Sequence, residues 1–82
     1  MSKITTGTHC IEVRCFASLA KYTPAGGYAK FAAPGTAGDL IRALGIPAGE
    51  VTIVFVNGVH SAESTVLRDG DSVGLFPQVG GG

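Results

Sequence analysis

The groups in this 82-residue chain that could do chemistry are few: Cys10 and Cys15, His9 and His60, Ser61 with Asp69 further on, and the main-chain carboxylate at the end of Gly80-Gly81-Gly82. Cys10 and Cys15 lie in His9-Cys10-Ile11-Glu12-Val13-Arg14-Cys15-Phe16, where apolar residues at 11, 13 and 15 alternate with polar ones at 12 and 14, as in a strand. Extended chain separates their Cα atoms by roughly 16 Å, against about 5.5–6 Å for a disulfide, and the odd spacing puts the two thiols on opposite faces. A zinc site needs about four ligands, usually in closely spaced pairs, and His9-Cys10 has no matching pair near His60. Ser61 beside His60 lacks the glycine elbow that presents a serine nucleophile, so these residues read as polar groups at a strand end.

The terminal carboxylate is the group that stands out. Three of the 13 glycines are the last three of 82 residues, an arrangement with a chance of about 0.4% if residues were drawn from composition. A disordered terminus would be indifferent to glycine and more often charged. Chemistry would not be indifferent. Threading a chain end through a narrow channel to the α-phosphate of ATP, to form an acyl-adenylate, excludes a Cβ and uses backbone angles that glycine reaches freely. The activated acyl group can then pass to sulfur or to an amine. Residues 77–82, fully extended, reach at most about 20 Å, enough to enter the cleft of another protein.

The rest of the chain must hold that end. With 45% hydrophobic and 15% charged residues it can bury one core, and its length suits one domain. A formal net charge of +0 with no cluster of Lys and Arg excludes a nucleic-acid binder. The longest apolar run, Ile53-Val54-Phe55-Val56, is far short of the roughly 18–20 residues of a membrane span, and Met1-Ser2-Lys3 leads into no secretory core, so a cytoplasmic location is expected.

Residues 1–8 are expected to be flexible, 9–76 to form the domain and 77–82 a flexible tail. Strands are expected at 9–16 and 28–33, paired as a hairpin across a helical turn at Ala17–Tyr22 and a loop at 23–27. Thr36 with Asp39 three residues on reads as a capping box. Ala37, Leu40, Ile41 and Leu44 form one buried helical face, ended by Gly45 and Pro47. Thr52–Val56 is a β-branched and aromatic strand, turned by Asn57-Gly58 into Val59-His60-Ser61. Asp69-Gly70-Asp71 then introduces a last strand at Ser72–Phe76, and Pro77 is expected to end sheet pairing. The order gives an α+β fold, a mixed sheet of four to five strands with one main helix on one face. Because neighbours in a strand face opposite sides, Leu75 and Phe76 cannot both point to the helix.

The segment from Val66 to Gly82, with Asp69-Gly70-Asp71, a hydrophobic strand, Phe76-Pro77, aliphatic Val79 and a glycine end, resembles the MoaD/ThiS family of sulfur carriers. Ile53-Val54-Phe55-Val56-Asn57-Gly58 and the helix at 36–44 stand in the order that family shows, and the likeness covers about residues 9–82. Within the family the chain is most similar to the small-subunit branch of molybdopterin synthase, although Pro77-Gln78 replaces the common Pro-Pro and Gly80 precedes the final pair. The resemblance implies a ubiquitin-like β-grasp fold and a Gly82 carboxylate that is adenylated and turned into a thiocarboxylate. Gly80 and Gly81 would then thread, and Val79, Pro77, Phe76 and Phe55 would contact partners. It further implies an E1-like adenylyltransferase, a molybdopterin synthase large subunit or thiazole synthase, and a sulfur donor such as a cysteine desulfurase. ATP is used by the activating partner and no cofactor is bound by the chain, which would be a co-substrate with no catalysis of its own. Alternatives are sulfur delivery to thiazole synthesis, a ubiquitin-like protein modifier, and a β-grasp interaction module.

Overall fold

Alternation of apolar and polar residues makes β1 (Thr8–Cys15) a strand with Ile11, Val13 and Cys15 buried on one side and Arg14 exposed on the other. The computed structural model describes residues 8–32, 35–47 and 49–78. Residues 1–7 and 79–82, on which the expected N-terminal segment and the glycine end fall, lie outside the described residues.

The segment after β1 turns through a 3-10 helix, Ala17–Tyr22, that buries Leu19, and a second short one, Ala25–Gly27. The chain then returns as β2 (Tyr28–Ala32), antiparallel to β1 as expected. A two-residue strand, β3 (Gly35–Thr36), leads into helix α1 (Ala37–Ala43). Thr36 caps this helix as the sequence indicates: its hydroxyl accepts from the Asp39 N–H at 3.1 Å, and the Asp39 carboxylate accepts from the Thr36 N–H at 2.9 Å. The helix ends at Gly45, whose φ of +82° is the left-handed conformation that glycine adopts without strain.

Strand β4 (Val51–Val56) turns at Asn57-Gly58, both residues at positive φ, into β5 (Val59–Ser61). A further short strand, β6 (Val66–Leu67), pairs with β3, and β7 (Ser72–Pro77) closes the chain. The main sheet has the order β2-β1-β7-β4-β5, with β7 parallel to β1 and antiparallel to β4. Five strands meet the expected four to five, while the small β3–β6 sheet is an addition that two-residue strands leave no periodic trace of.

Helix α1 covers one face of this sheet. Its Ala37, Leu40 and Ile41 pack with Ile11, Val13, Val54, Val56, Val73 and Leu75 in one core. Fully burying a side chain such as Leu40 stabilises by about 2 kcal/mol, and several such residues hold this small domain together. Leu75 is buried toward the helix and Phe76 is half-buried on the opposite side, the split that strand alternation demands. One expectation is corrected. Pro77 does not end the pairing: it lies in β7 opposite Val51 and is buried. The register shifts between Val51 and Ile53 at this point, and an irregularity in the ladder is where a residue without an N–H is accommodated.

Candidate docking face and carboxylate-bearing end

The sheet face that α1 leaves open is ordered by the strand register. Arg14, Gly74, Phe55 and His60 stand opposite one another across β1, β7, β4 and β5, and Phe76 and Ile53 form the next row. Phe16 joins them because its N–H donates to the Leu75 carbonyl at 3.0 Å, carrying the β1–β7 pairing one residue past β1. The Phe16 and Phe76 rings stack, with centroids 4.3 Å apart and planes within 3°, and Phe55 meets Phe76 edge-on at 5.6 Å. His60 lies 5.7 Å from Phe55. Such aromatic pairs contribute about 0.5–1.5 kcal/mol beyond area burial. Even so, Phe16 is 38% exposed and Ile53 36%. An exposed group of apolar side chains on one face is a candidate interaction surface.

Beside these rings the sheet surface dips at Gly74, which has no side chain. The concavity, of about 190 Å³ and open to solvent, is lined by Phe16, Phe55 and Phe76, by Gly58, Ser72, Val73 and Gly74, and by Arg14. Arg14 is paired with Glu12 only at 3.5 Å, and its side chain is 70% exposed.

At the other end of β7, the acidic turn is a clamp. The Asp71 carboxylate accepts from Asn57 Nδ2 at 3.0 Å and from the Arg68 N–H at 2.8 Å. Asn57 Oδ1 in turn accepts from the Ser72 N–H at 3.0 Å, and Asp69 Oδ1 accepts from the Cys10 N–H at 2.7 Å. The turn thus ties β7 to the β4–β5 turn and to β1, fixing where β7 starts and so where Phe76 and Pro77 stand. The bonds from Asn57 and from the Arg68 N–H hold Asp71 below the ordinary carboxylate range. At the helix start, the Thr36 N–H and then Arg42 do the same for Asp39.

The sequence-derived candidates are therefore sorted. Phe55 and Phe76 share the open face, while Pro77 is buried at the strand end. Val79, Gly80, Gly81 and Gly82 lie outside the described residues. Ser61, His60 and Asp69 do not assemble: Ser61 Oγ donates to the Val59 carbonyl and Asp69 serves the clamp. Cys10 and Cys15 are free, and burial pushes the Cys15 thiol up, away from the reactive thiolate. Among the described residues no three His, Cys, Asp or Glu side chains gather as a metal site, and no helix is long and apolar enough to cross a membrane. Arg14, Phe16 and Gly74 went unnoticed in the sequence as contributors to this face. The even-numbered spacing of 14 and 16 in the β1 alternation signals their shared side, but the parallel β1–β7 pairing that brings them to Phe76 leaves no local signal.

Comparison with known proteins places this arrangement. The chain superposes on the solution structure of the HVO 2177 protein of Haloferax volcanii with a TM-score of 0.68 and 26% identity, over 100% of this chain and 94% of that one. Small archaeal modifier protein 1 of the same organism matches with a TM-score of 0.64 and 30% identity, over 87% and 99% of the two chains. A Pyrococcus furiosus protein assigned as molybdopterin converting factor, subunit 1, shares the fold with a TM-score of 0.61 at 24% identity, over 87% and 99%. No curated protein sequence matches the chain. The model of the ThiS family matches residues 13–82, from within β1 to the last glycine. With its β-grasp sheet, its single main helix and that match, the chain belongs to the ThiS family of ubiquitin-like sulfur carriers.

Proposed function

We propose that this chain carries sulfur on its C-terminus for the building of molybdopterin, the dithiolene ligand of molybdenum and tungsten, in the cytoplasm. The observation that carries the reading is that the family match runs through Gly80 and Gly81 to Gly82. An oxygen of the Gly82 carboxylate attacks the α-phosphorus of ATP on an E1-like adenylyltransferase, and pyrophosphate leaves. A persulfide sulfur from a cysteine desulfurase-type donor attacks the acyl carbon, AMP leaves, and a thiol reductant cleaves the acyl disulfide to free the thiocarboxylate. That sulfur then attacks a carbon of the cyclic pterin precursor held by the synthase large subunit, an oxygen substituent leaves that carbon, and water hydrolyses the acyl link to return the Gly82 carboxylate; a second carrier repeats the transfer, because a dithiolene holds two sulfurs. ATP belongs to the activating partner, and this chain needs no bound cofactor.

Each part of the chain has a role in that cycle. Gly80 and Gly81 pass the channel walls, where a Cβ would collide. Val79, Phe76 and Phe55, with Pro77 fixing the exit of the tail, anchor the carrier on its partners. The open aromatic face supports a docking role because hot spots of interfaces are enriched in buried rings. The long Ala17–Gly27 connection and the Phe76-Pro77 junction favour the pterin branch over thiazole delivery. A second reading, a modifier joined through Gly82 to lysine amines, is favoured by the 30% identity to small archaeal modifier protein 1.

Single-turnover reconstitution tests the proposal. Thiocarboxylated chain mixed with the large subunit and the cyclic pterin monophosphate should yield dithiolene product and carboxylate-ended carrier. Turnover with thiazole synthase instead, or a ladder of protein conjugates in cells with no pterin product, would assign the chain to an alternative.

A further inference from the structure

We infer that the concavity over Gly74 is a socket for one aromatic side chain of the docking partner, flanked in that partner by a carboxylate that pairs with Arg14. The inference rests on the reading of the open sheet face as a docking surface and gives that surface its anchor.

Three observations converge on it. The first is size: about 190 Å³ of space accepts a phenyl ring, since an apolar cavity of about 150 Å³ binds benzene. The second is the chemistry of the walls. Three phenyl rings already packed on one another line it, an apolar and aromatic surface on which a further ring packs favourably. Among the described residues lining the socket, Arg14 is the sole charged one, and its long, exposed contact with Glu12 is the kind that contributes little and exchanges readily. A partner carboxylate beside it therefore gains a forked guanidinium partner at small cost.

The third observation concerns Gly74 itself. Its φ lies outside the left-handed region, so the backbone does not require glycine. A Cβ built there would meet Phe16 Cε2 and Phe76 Cε1 at 3.6 Å and Phe55 Cβ at 3.9 Å, ordinary van der Waals contacts. Alanine fits the fold and occupies part of the socket. Folding therefore does not account for glycine at this position, whereas keeping the dip empty for an incoming ring does.

The test uses the full 82-residue chain, labelled with nitrogen-15, and three probes: 3-phenylpropionate, 3-phenylpropanol and acetate. The propionate should shift the amides of Gly74, Phe16, Phe55 and Phe76 saturably, with a dissociation constant of about 1–10 mM, as suits a fragment of this size. Gly74→Leu should abolish the shifts, and Gly74→Ala should weaken binding several-fold while melting like the parent. The alanine variant decides the matter if the leucine variant folds poorly. Arg14→Gln should weaken the propionate by about 2- to 5-fold and leave the propanol unchanged. Acetate alone should shift none of the four amides. Unchanged binding in Gly74→Ala, or shifts centred elsewhere, would overturn the socket. Concentration-dependent shifts of the same amides in the probe-free chain would give it to a second copy, and shifts on deleting residues 79–82 would give it to the chain's own end, either of which also overturns the proposal. No step involves ATP or sulfur, so the outcome is independent of whether Gly82 forms a thiocarboxylate.

Discussion

Asp71 shows how a single residue serves the site from a distance. It holds Asn57 and the Arg68 N–H at the start of β7, five residues before Phe76 on the open face. Its carboxyl, like that of Asp39, sits below the ordinary value because its partners favour the charged form. A group with a lowered folded pKa adds stability above its unfolded pKa, about 4, and that stability is lost as pH falls through the folded value. Replacement of Asp71 by alanine should therefore cost about 1 kcal/mol at pH 7, the low end for charged hydrogen bonds because solvent screens this exposed group. The gap to the parent should shrink at pH 2.5. Urea unfolding at the two pH values measures both, and a gap that is equal at each would contradict the clamp. Asp69-Gly70-Asp71 was visible in the sequence as a turn, but its partners Asn57 and Cys10, 14 and 59 residues from the aspartates that bind them, were not.

Helix α1 and the sheet divide the work between them. The helix was legible almost to the residue, since capping and 3.6-residue periodicity are local: Thr36, Asp39, Leu40 and Gly45 all act as their spacing indicates. Sheet order was not legible, because the parallel β1–β7 pairing joins residues sixty apart through backbone bonds that any side chains could make. Phe55 and Phe76 could be named as candidates from the sequence, whereas Phe16 and Gly74 became neighbours of theirs only through that pairing. Leu40, fully buried under the sheet, should cost about 2–4 kcal/mol when cut to alanine, against about 1 kcal/mol for Thr36→Ala at the cap. Thermal melts resolve the two, since 1 kcal/mol moves the midpoint of a domain this size by about 4–8 °C. Equal losses would mean that the helix is held by its cap rather than by its packing.

At the scale of the molecule, the proposed function divides the chain between a folded domain with an open aromatic face and a C-terminal carboxylate as the reacting group. The two should be separable. Deletion of Gly82 removes the carboxylate of the proposed cycle and leaves every core residue in place, so the melting transition should stay where it is while sulfur transfer disappears. A fall in stability, or transfer that survives, would break that separation.

The central claim is that Gly82 becomes a thiocarboxylate, and intact-mass spectrometry reads it directly. After incubation with ATP, the cognate activating enzyme and a sulfur source, the chain should gain about 16 Da, the exchange of one oxygen for sulfur, and the gain should require ATP. A chain whose mass never changes under these conditions would contradict the account.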